Sequence, residues 1–231
     1  MKKVGILLFA AALVIGVVAS LSFGGMGFHA PHFSFNFHGV EGSGNVIKEK
    51  RDLSGFSKVE VGGVFDVQIT KGSEYRVEVE ADDNLMPLVQ TEVDGDTLSI
   101  SSEKSIGRKS TLKVTITAPN VEGIDASGAS KVNLNGVDNS DLSVSASGAS
   151  KVFADGKTND LNVELSGASR LMADGLAAAN ATIDASGASN ADVKVSGELK
   201  SDLSGASHVN YSGSPSSVQT KKSGASSVSV K

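Results

Sequence analysis

The stretch Leu161–Arg170, LNVELSGASR, contains the pattern that decides the fold. Its tetrapeptide Ser-Gly-Ala-Ser occurs six times in the second half of the chain, at intervals of 18 to 20 residues. A regular period of about 19 residues without helical phase is typical of a β-solenoid in which each repeat forms one coil. The repeat glycines are Gly128, Gly148, Gly167, Gly187, Gly205 and Gly224.

Apolar and polar residues alternate on both sides of each repeat glycine. In one repeat, Leu161, Val163 and Leu165 precede the glycine, and Leu171 and Ala173 follow it. Such alternation predicts strands with one buried face. Each coil is therefore expected to have two main strands, which pair with the equivalent strands of the next coil at a spacing of about 4.8 Å to form parallel sheets.

Two tight corners are expected in each coil. The Ser-Gly-Ala-Ser corner combines small residues, which allow a sharp turn, with hydroxyls that can hydrogen-bond nearby backbone groups. A second corner is predicted at an Asx-Gly pair eight positions later, because glycine readily adopts positive φ. The glycines of this second corner are Gly136, Gly156 and Gly175.

The N-terminal segment has the composition of an export signal. Lys2 and Lys3 precede an uncharged run from residue 4 to residue 23, which is also long enough to span a bilayer as an uncleaved helical anchor. Cleavage and anchoring both remain open. The chain is thus divided into a hydrophobic signal peptide or membrane anchor (1–23), a linker rich in Phe and His (24–40), and a solenoid domain (41–231) with irregular coils in 41–120 and the repeats in 121–231.

The linker contains three histidines, which could be interpreted as a metal site. His29, His32 and His38 have no helical phase and lack a fourth ligand, so a spacer next to the membrane is the favoured reading and no metal is assigned. Phe33, Phe35 and Phe37 alternate with polar residues, which fits either a first strand or aromatic rings at the level of lipid headgroups.

The region before the repeats has strand patterns without the short period. Longer corners, within larger coils of the same body, are expected there rather than a second fold, and a short helical turn limited by Pro87 is expected within residues 82–89. The predicted strands cover residues 58–61, 64–69, 75–80, 97–101 and 112–117.

Composition excludes several classes of function. The chain has no Cys, which removes disulfides, thiol catalysis, thiolate metal sites and a lipidated cysteine anchor. Its formal net charge of -5 is the wrong sign for a nucleic-acid-binding protein, which needs a basic surface to neutralise phosphates. Nucleic acid is therefore not expected as a partner.

Charged residues recur in phase with the repeat and form a candidate calcium-binding or catalytic site. Carboxylates stand three positions before four of the glycines, and cations or polar residues stand three positions after all six. Carboxylates spaced along a solenoid could bind calcium or hydrolyse a glycoside, but a solvated face explains the charges equally well, so no catalytic, cofactor or metal residue is assigned. The acidic positions are Asp125, Glu164, Asp184 and Asp202, and the others are Lys131, Lys151, Arg170, Asn190, His208 and Ser227.

The order of several motifs resembles the DUF2807 family, described as an autotransporter adhesin head or GIN domain. The resemblance covers residues 41–231. It implies a right-handed parallel β-helix related in shape to pectin lyases, without their catalytic residues, and a role in adhesion at the bacterial cell surface. The motifs are GSGNV at 42–46, LSGF at 53–56, VFDVQI at 64–69, EADDNL at 80–85 and the Ser-Gly-Ala-Ser series.

These observations predict an exported, non-enzymatic β-solenoid of the cell envelope or cell surface that presents a repetitive polar surface to a protein or glycan partner. The sequence assigns no oligomeric state. An alternative from another class is a polysaccharide-binding or polysaccharide-degrading protein on the same scaffold, which is favoured only by the likeness in shape. A third possibility is a structural or stress-sensing component tethered to the membrane through residues 4–23.

Overall fold

A computed structural model describes residues 39–107 and 110–231. The predicted N-terminal helix, the linker phenylalanines and His29, His32 and His38 lie outside these residues. Within the described part of the chain, no helix is both long and apolar enough to cross a membrane.

The described residues form an all-β solenoid, as the repeat predicted. Its strands belong to one network of 16 paired strands, and the one helical element in the described residues is a 3-10 turn, η1, at Met86–Leu88. The strands are β1 (Val46–Arg51), β2 (Lys58–Gly63), β3 (Asp66–Lys71), β4 (Arg76–Asp82), β5 (Val89–Asp94), β6 (Thr97–Ser102), β7 (Leu112–Ala118), β8 (Gly123–Gly128), β9 (Lys131–Ala146), β10 (Lys151–Leu165), β11 (Arg170–Ala185), β12 (Asn190–Val195), β13 (Glu198–Leu203), β14 (His208–Gly213), β15 (Ser217–Lys222) and β16 (Ser227–Val230).

In the repeat region, the strands stack in two columns with parallel pairing throughout. Column A contains the strand segments that lead into the Ser-Gly-Ala-Ser corner, and column B contains those that leave it. The long strands β9, β10 and β11 each begin in column B and end in column A. In column A, Leu161 of β10 pairs with Leu142 of β9 and with Ala181 of β11. Residues of the same phase therefore lie above one another, and the inward rows form a continuous apolar core.

The second corner differs from the prediction. β9, β10 and β11 each run through the Asx-Gly position as one strand, and the chain bends there at a shift in the pairing register. Gly136 and Gly156 have φ values of 76° and 118°, but Gly175 does not have positive φ. β9 and β11 each have one more residue than β10 at this bend, and Gly175 pairs with Asp155 in the ladder instead of forming a corner with positive φ.

The region before the repeats is stacked out of sequence order. β2 lies between β6 and β8 in column A, and β3 lies between β7 and β9 in column B. The coil formed by β6 and β7 therefore lies beyond the earlier coil formed by β2 and β3. The sequence pattern did not predict this order, because pairing across the sheet and not chain order sets the sequence of layers.

Antiparallel strands cover this end of the solenoid, which the sequence pattern did not predict. β5 pairs with β6, β4 pairs with β7, and β1 pairs with β4, all antiparallel. The connection from β4 to β5 contains η1 and buries Leu85 and Met86 over the end of the core. A reversed strand at each column ends the parallel stacking and shields the apolar interior from water.

Candidate functional site

The repeat glycines form a column of close backbone contacts along one corner. All six have φ between 70° and 77°. An added Cβ on Gly148, Gly167 or Gly187 would lie 2.5 to 2.6 Å from the carbonyl oxygen of the glycine one coil below. The column begins at Gly63, whose carbonyl oxygen accepts a 2.7 Å hydrogen bond from the N–H of Ala129. Gly63 precedes the Ser-Gly-Ala-Ser series, so the repeat alone did not reveal it.

In the first five repeats, the second serine lies inside the corner, and in the last repeat it is only partly buried. Ser150, for example, is fully buried, and its hydroxyl donates to the carbonyl oxygens of Ser147 at 2.8 Å and Ala126 at 3.0 Å. Ser207 makes the equivalent bond to Ser204 at 2.7 Å. These hydroxyls satisfy buried carbonyl groups at the turn, so the serines have a structural role.

The acidic residues that stand three positions before the repeat glycines come together as one outward row on column A. Their order along the row is Glu60, Asp125, Ser145, Glu164, Asp184, Asp202 and Lys221, each paired in register with the next. With the first serines of the corners, Asp125, Glu164, Asp184 and Asp202 line an open groove of about 540 Å³. The sequence predicted their phase, and the parallel register brings them together.

Electrostatic repulsion within this row is visible at Asp125. Partial burial raises the pKa of the Asp125 carboxyl above its ordinary value, and the negative charges of Glu60 and Glu164 raise it further. No ion pair joins Asp125, Glu164, Asp184 or Asp202 to any other residue of the described chain. The groove is therefore a strip of uncompensated negative charge.

The row lacks the geometry of a metal site. Across residues 39–107 and 110–231, no group of three or more His, Asp or Glu residues is arranged to hold a metal ion. Outward carboxylates on parallel strands point side by side into solvent, whereas calcium requires six to eight oxygens that converge on one point.

His208 does not form part of a described catalytic triad. Its Nδ1 lies 3.3 Å from the hydroxyl of Ser227 on the next coil, and both side chains lie on the outer face of column B. Within the described residues, no carboxylate hydrogen-bonds this histidine, so nothing there orients the imidazole as the acid of a triad does.

The cations that follow the corner form a second row on the outer face of column B. Lys131, Lys151 and Arg170 occupy three successive coils in register. Lys131 Nζ lies 3.5 Å from Asp66 Oδ2 and 5.6 Å from the ring centroid of Phe153. An acidic row on column A and a row of three cations on column B thus lie on either side of the same corner. The column B face also carries two carboxylates, Asp66, which pairs with Lys131, and Asp192, which pairs with Met172.

Two further motifs meet in a clasp at the covered end. The buried carboxylate of Asp82 accepts hydrogen bonds from the N–H groups of Gly44 at 2.7 Å and Thr111 at 2.8 Å. Asn45 Nδ2 donates to Asp83 Oδ2 at 2.8 Å, and the hydrogen bonds from Ser43 and Asn45 lower the pKa of Asp83. Segment 42–45 is therefore held on segment 82–84.

Known proteins share this architecture. The model of a family described as "Putative auto-transporter adhesin, head GIN domain", DUF2807, matches residues 55–215. A crystal structure of a "putative adhesin" from Bacteroides fragilis superposes with a TM-score of 0.70 at 21% identity, covering 84% of this chain and 100% of that one. Another, from Parabacteroides merdae, has a TM-score of 0.49 at 19% identity and covers 83% of this chain and 98% of that one.

The first of these likenesses shows a common fold. No curated protein matches the chain. The family match extends from β2 through the repeats to β14, which is most of the solenoid described above. The chain belongs to the DUF2807 family.

Proposed function

We propose that this protein is an exported, non-enzymatic β-solenoid of the cell envelope or cell surface that presents its outer rows to a protein or glycan partner. The family description and the names of the solved relatives support an adhesin-like role. The regions keep the boundaries inferred from the sequence: residues 1–23 direct export or anchor the chain, 24–40 link, and 41–231 form the displayed domain.

The observation that carries the proposal is the arrangement of outward side chains in rows. Each outward position repeats on successive coils at a spacing of about 4.8 Å, which gives long, rigid polar strips. Solenoids of this kind use extended surfaces for binding, because each coil contacts only its neighbours and leaves its outer face free. We take the winding to be right-handed, as the crossover rule for parallel strands favours.

A non-enzymatic role is supported by what surrounds the candidate groups. The acidic groove is open along its length, and water has access to its carboxylates. Catalysis by a carboxylate pair relies on separating the pKa values of an acid and a base in a protected site. A polysaccharide-degrading activity is the second candidate, because Glu164, Asp184 and Asp202 line one open groove of about 540 Å³.

Localisation tests the first part of the proposal. Cells that produce the full chain are fractionated, and the N-terminus of the mature protein is sequenced. We expect the protein in the envelope or the medium. Recovery in the cytoplasm with residues 1–23 intact would overturn it. A mature N-terminus near Ser20 would exclude the membrane tether and leave the displayed domain free.

An activity test separates the two candidates. The purified full chain is incubated with a panel of acidic and neutral polysaccharides, and new reducing ends and unsaturated products are measured. We expect no cleavage. Cleavage that disappears in the Glu164→Gln and Asp184→Asn variants, but persists in a Glu92→Gln variant outside the groove, would establish the enzyme instead.

A further inference from the structure

We propose that the outer face of column B binds a linear polysaccharide that carries carboxylates, through an array of Lys131, Lys151 and Arg170 with Phe153 and Met172 beside them. This inference rests on the proposed interaction function and specifies the chemical class of its partner. The array lies on the opposite side of the corner from the acidic groove.

The strand register sets the geometry of the array. Lys151 pairs with Lys131 on one side and with Arg170 on the other, so the three cations form a straight row along the solenoid axis. Phe153 pairs with Met172 in the adjacent outward row. Because these positions belong to the central strands of a stacked sheet, the spacing of the cations is fixed before any ligand arrives.

Two of the three cations in this row lack a counterion within the described residues. Lys151 and Arg170 form no ion pair with any residue of the described chain, and Lys131 has one contact, at 3.5 Å with Asp66. Like charges that are stacked one coil apart repel each other. An anionic chain lying along the row would relieve this repulsion at two or three coils at once.

The net charge of -5 does not argue against an anionic partner. In a periodic sequence, residues at equivalent positions of the repeat lie on one face of the solenoid. The net charge of the whole chain therefore averages over rows of opposite charge. Five carboxylates without an ion pair in the described chain form the acidic row on column A: Glu60, Asp125, Glu164, Asp184 and Asp202. A ligand on column B meets the local field of the cations first.

The residue types favour carboxylates borne on sugars. The guanidinium of Arg170 can bind a carboxylate through two parallel hydrogen bonds, and the lysines add point charges on either side. Phe153 and Met172 are half-buried in the sheet surface and offer an apolar patch to the C–H face of a sugar ring. A flat row without a pocket suits an extended polymer better than a small acid.

Two other anionic partners fit less well. Insertion into a membrane surface requires apolar side chains that project into the lipid, whereas Phe153 and Met172 are half-buried in a flat sheet. Single-stranded nucleic acid is bound by several aromatic side chains along a basic groove, and this array has a single aromatic residue.

A binding experiment with matched variants tests the proposal. The full chain is titrated with polygalacturonate, with its fully methyl-esterified neutral form, with vesicles containing an anionic lipid, and with a single-stranded oligonucleotide. The test variant is Lys151→Gln/Arg170→Gln. The control is Lys221→Gln/Lys222→Gln on β15, which removes the same charge from column A. Phe153→Leu probes the sugar contact, and urea unfolding checks that each variant is folded.

We expect wild type to bind polygalacturonate in preference to the other three ligands. The test variant should lose about ten-fold in affinity and show a weaker dependence on salt. Phe153→Leu should lose about two- to ten-fold, and the control should bind as wild type. Absence of binding, an equal loss in the control, or preferential binding of vesicles or oligonucleotide would overturn the inference. Localisation of the protein is measured separately, so failure here leaves the proposed function standing.

Discussion

The backbone of Gly167 is packed directly against the backbone of Gly148 one coil below. The Gly148 carbonyl oxygen lies 2.6 Å from the position that a Cβ on Gly167 would occupy. The same oxygen accepts a 2.7 Å hydrogen bond from the N–H of Ala168. Glycine is required at this corner for two reasons: the residue has positive φ, and a side chain would displace the carbonyl that joins the two coils.

Gly167→Ala should therefore lower the free energy of unfolding by about 3 kcal/mol, since it adds steric overlap to the strain of positive φ. Gly55→Ala is a matched control, because Gly55 has φ of 83° but no atom lies within 4 Å of an added Cβ. The control should lose about 1 kcal/mol. Urea unfolding measures both, and equal losses would show that the contact between coils is unimportant.

The buried serines allow a second comparison within one row. The Ser150 hydroxyl makes two hydrogen bonds, whereas the buried hydroxyl of Ser169 has no hydrogen-bond partner. Ser150→Ala should cost about 1 kcal/mol, and Ser169→Ala should be neutral or stabilising, because it removes an unsatisfied polar group. Thermal and urea unfolding of the two variants measure these changes in stability. A larger loss for Ser169→Ala would contradict this account.

The clasp predicts unequal roles for two neighbouring aspartates. Asp82→Ala would leave the N–H groups of Gly44 and Thr111 without their buried acceptor, so we expect a loss of about 2 to 3 kcal/mol. Asp83→Ala removes an exposed partner of Asn45 and should cost less. Hydrogen exchange should show faster exchange in β1 for Asp82→Ala. Unchanged protection of β1 would argue against the clasp.

The acidic row predicts a dependence of stability on pH. The pKa of Asp125 is raised in the folded state, so its charged form destabilises the fold at neutral pH, and this cost disappears as the pH falls through the folded pKa. Asp125→Asn should thus increase the free energy of unfolding at pH 7, by less than about 1 kcal/mol because the carboxyl is only partly buried and solvent screens its charge. Below the ordinary value of 3.8, the variant and wild type should converge.

Urea unfolding at several pH values and two salt concentrations tests this prediction. High salt should reduce the difference between Asp125→Asn and wild type at neutral pH. Glu122→Gln changes a carboxylate on the same coil outside the row and serves as the control. A gain that persists at acid pH would show that charge is not its cause.

The repeat allowed much of the solenoid to be predicted. Leu161, Val163 and Leu165 alternate as a buried strand should, and they are buried in a parallel column. The positions of the acidic and basic rows also followed from phase. Gly63 and Gly175 mark the limit: the first joins the glycine column without the repeat motif, and the second pairs with Asp155 in the ladder and lacks the positive φ expected of a corner glycine.

The clasp and the covered end were not predictable in the same way. β1 and β5 were missed because the apolar alternation of each is weak: β1 has no buried residue, and β5 buries only Val89. The contacts of Asp82 join segments that are 29 and 38 residues apart. Nothing in local spacing links such segments.

The sequence by itself determined the coil, its two main strands and which residues share a face, because a repeat of about 19 residues stacks like on like. Only the tertiary structure decided the order of the first coils and the reversed strands that close one end. Those features depend on which strands pair across the sheet. Pairing over long distances is set by the burial of the whole core and not by the pattern of any one segment.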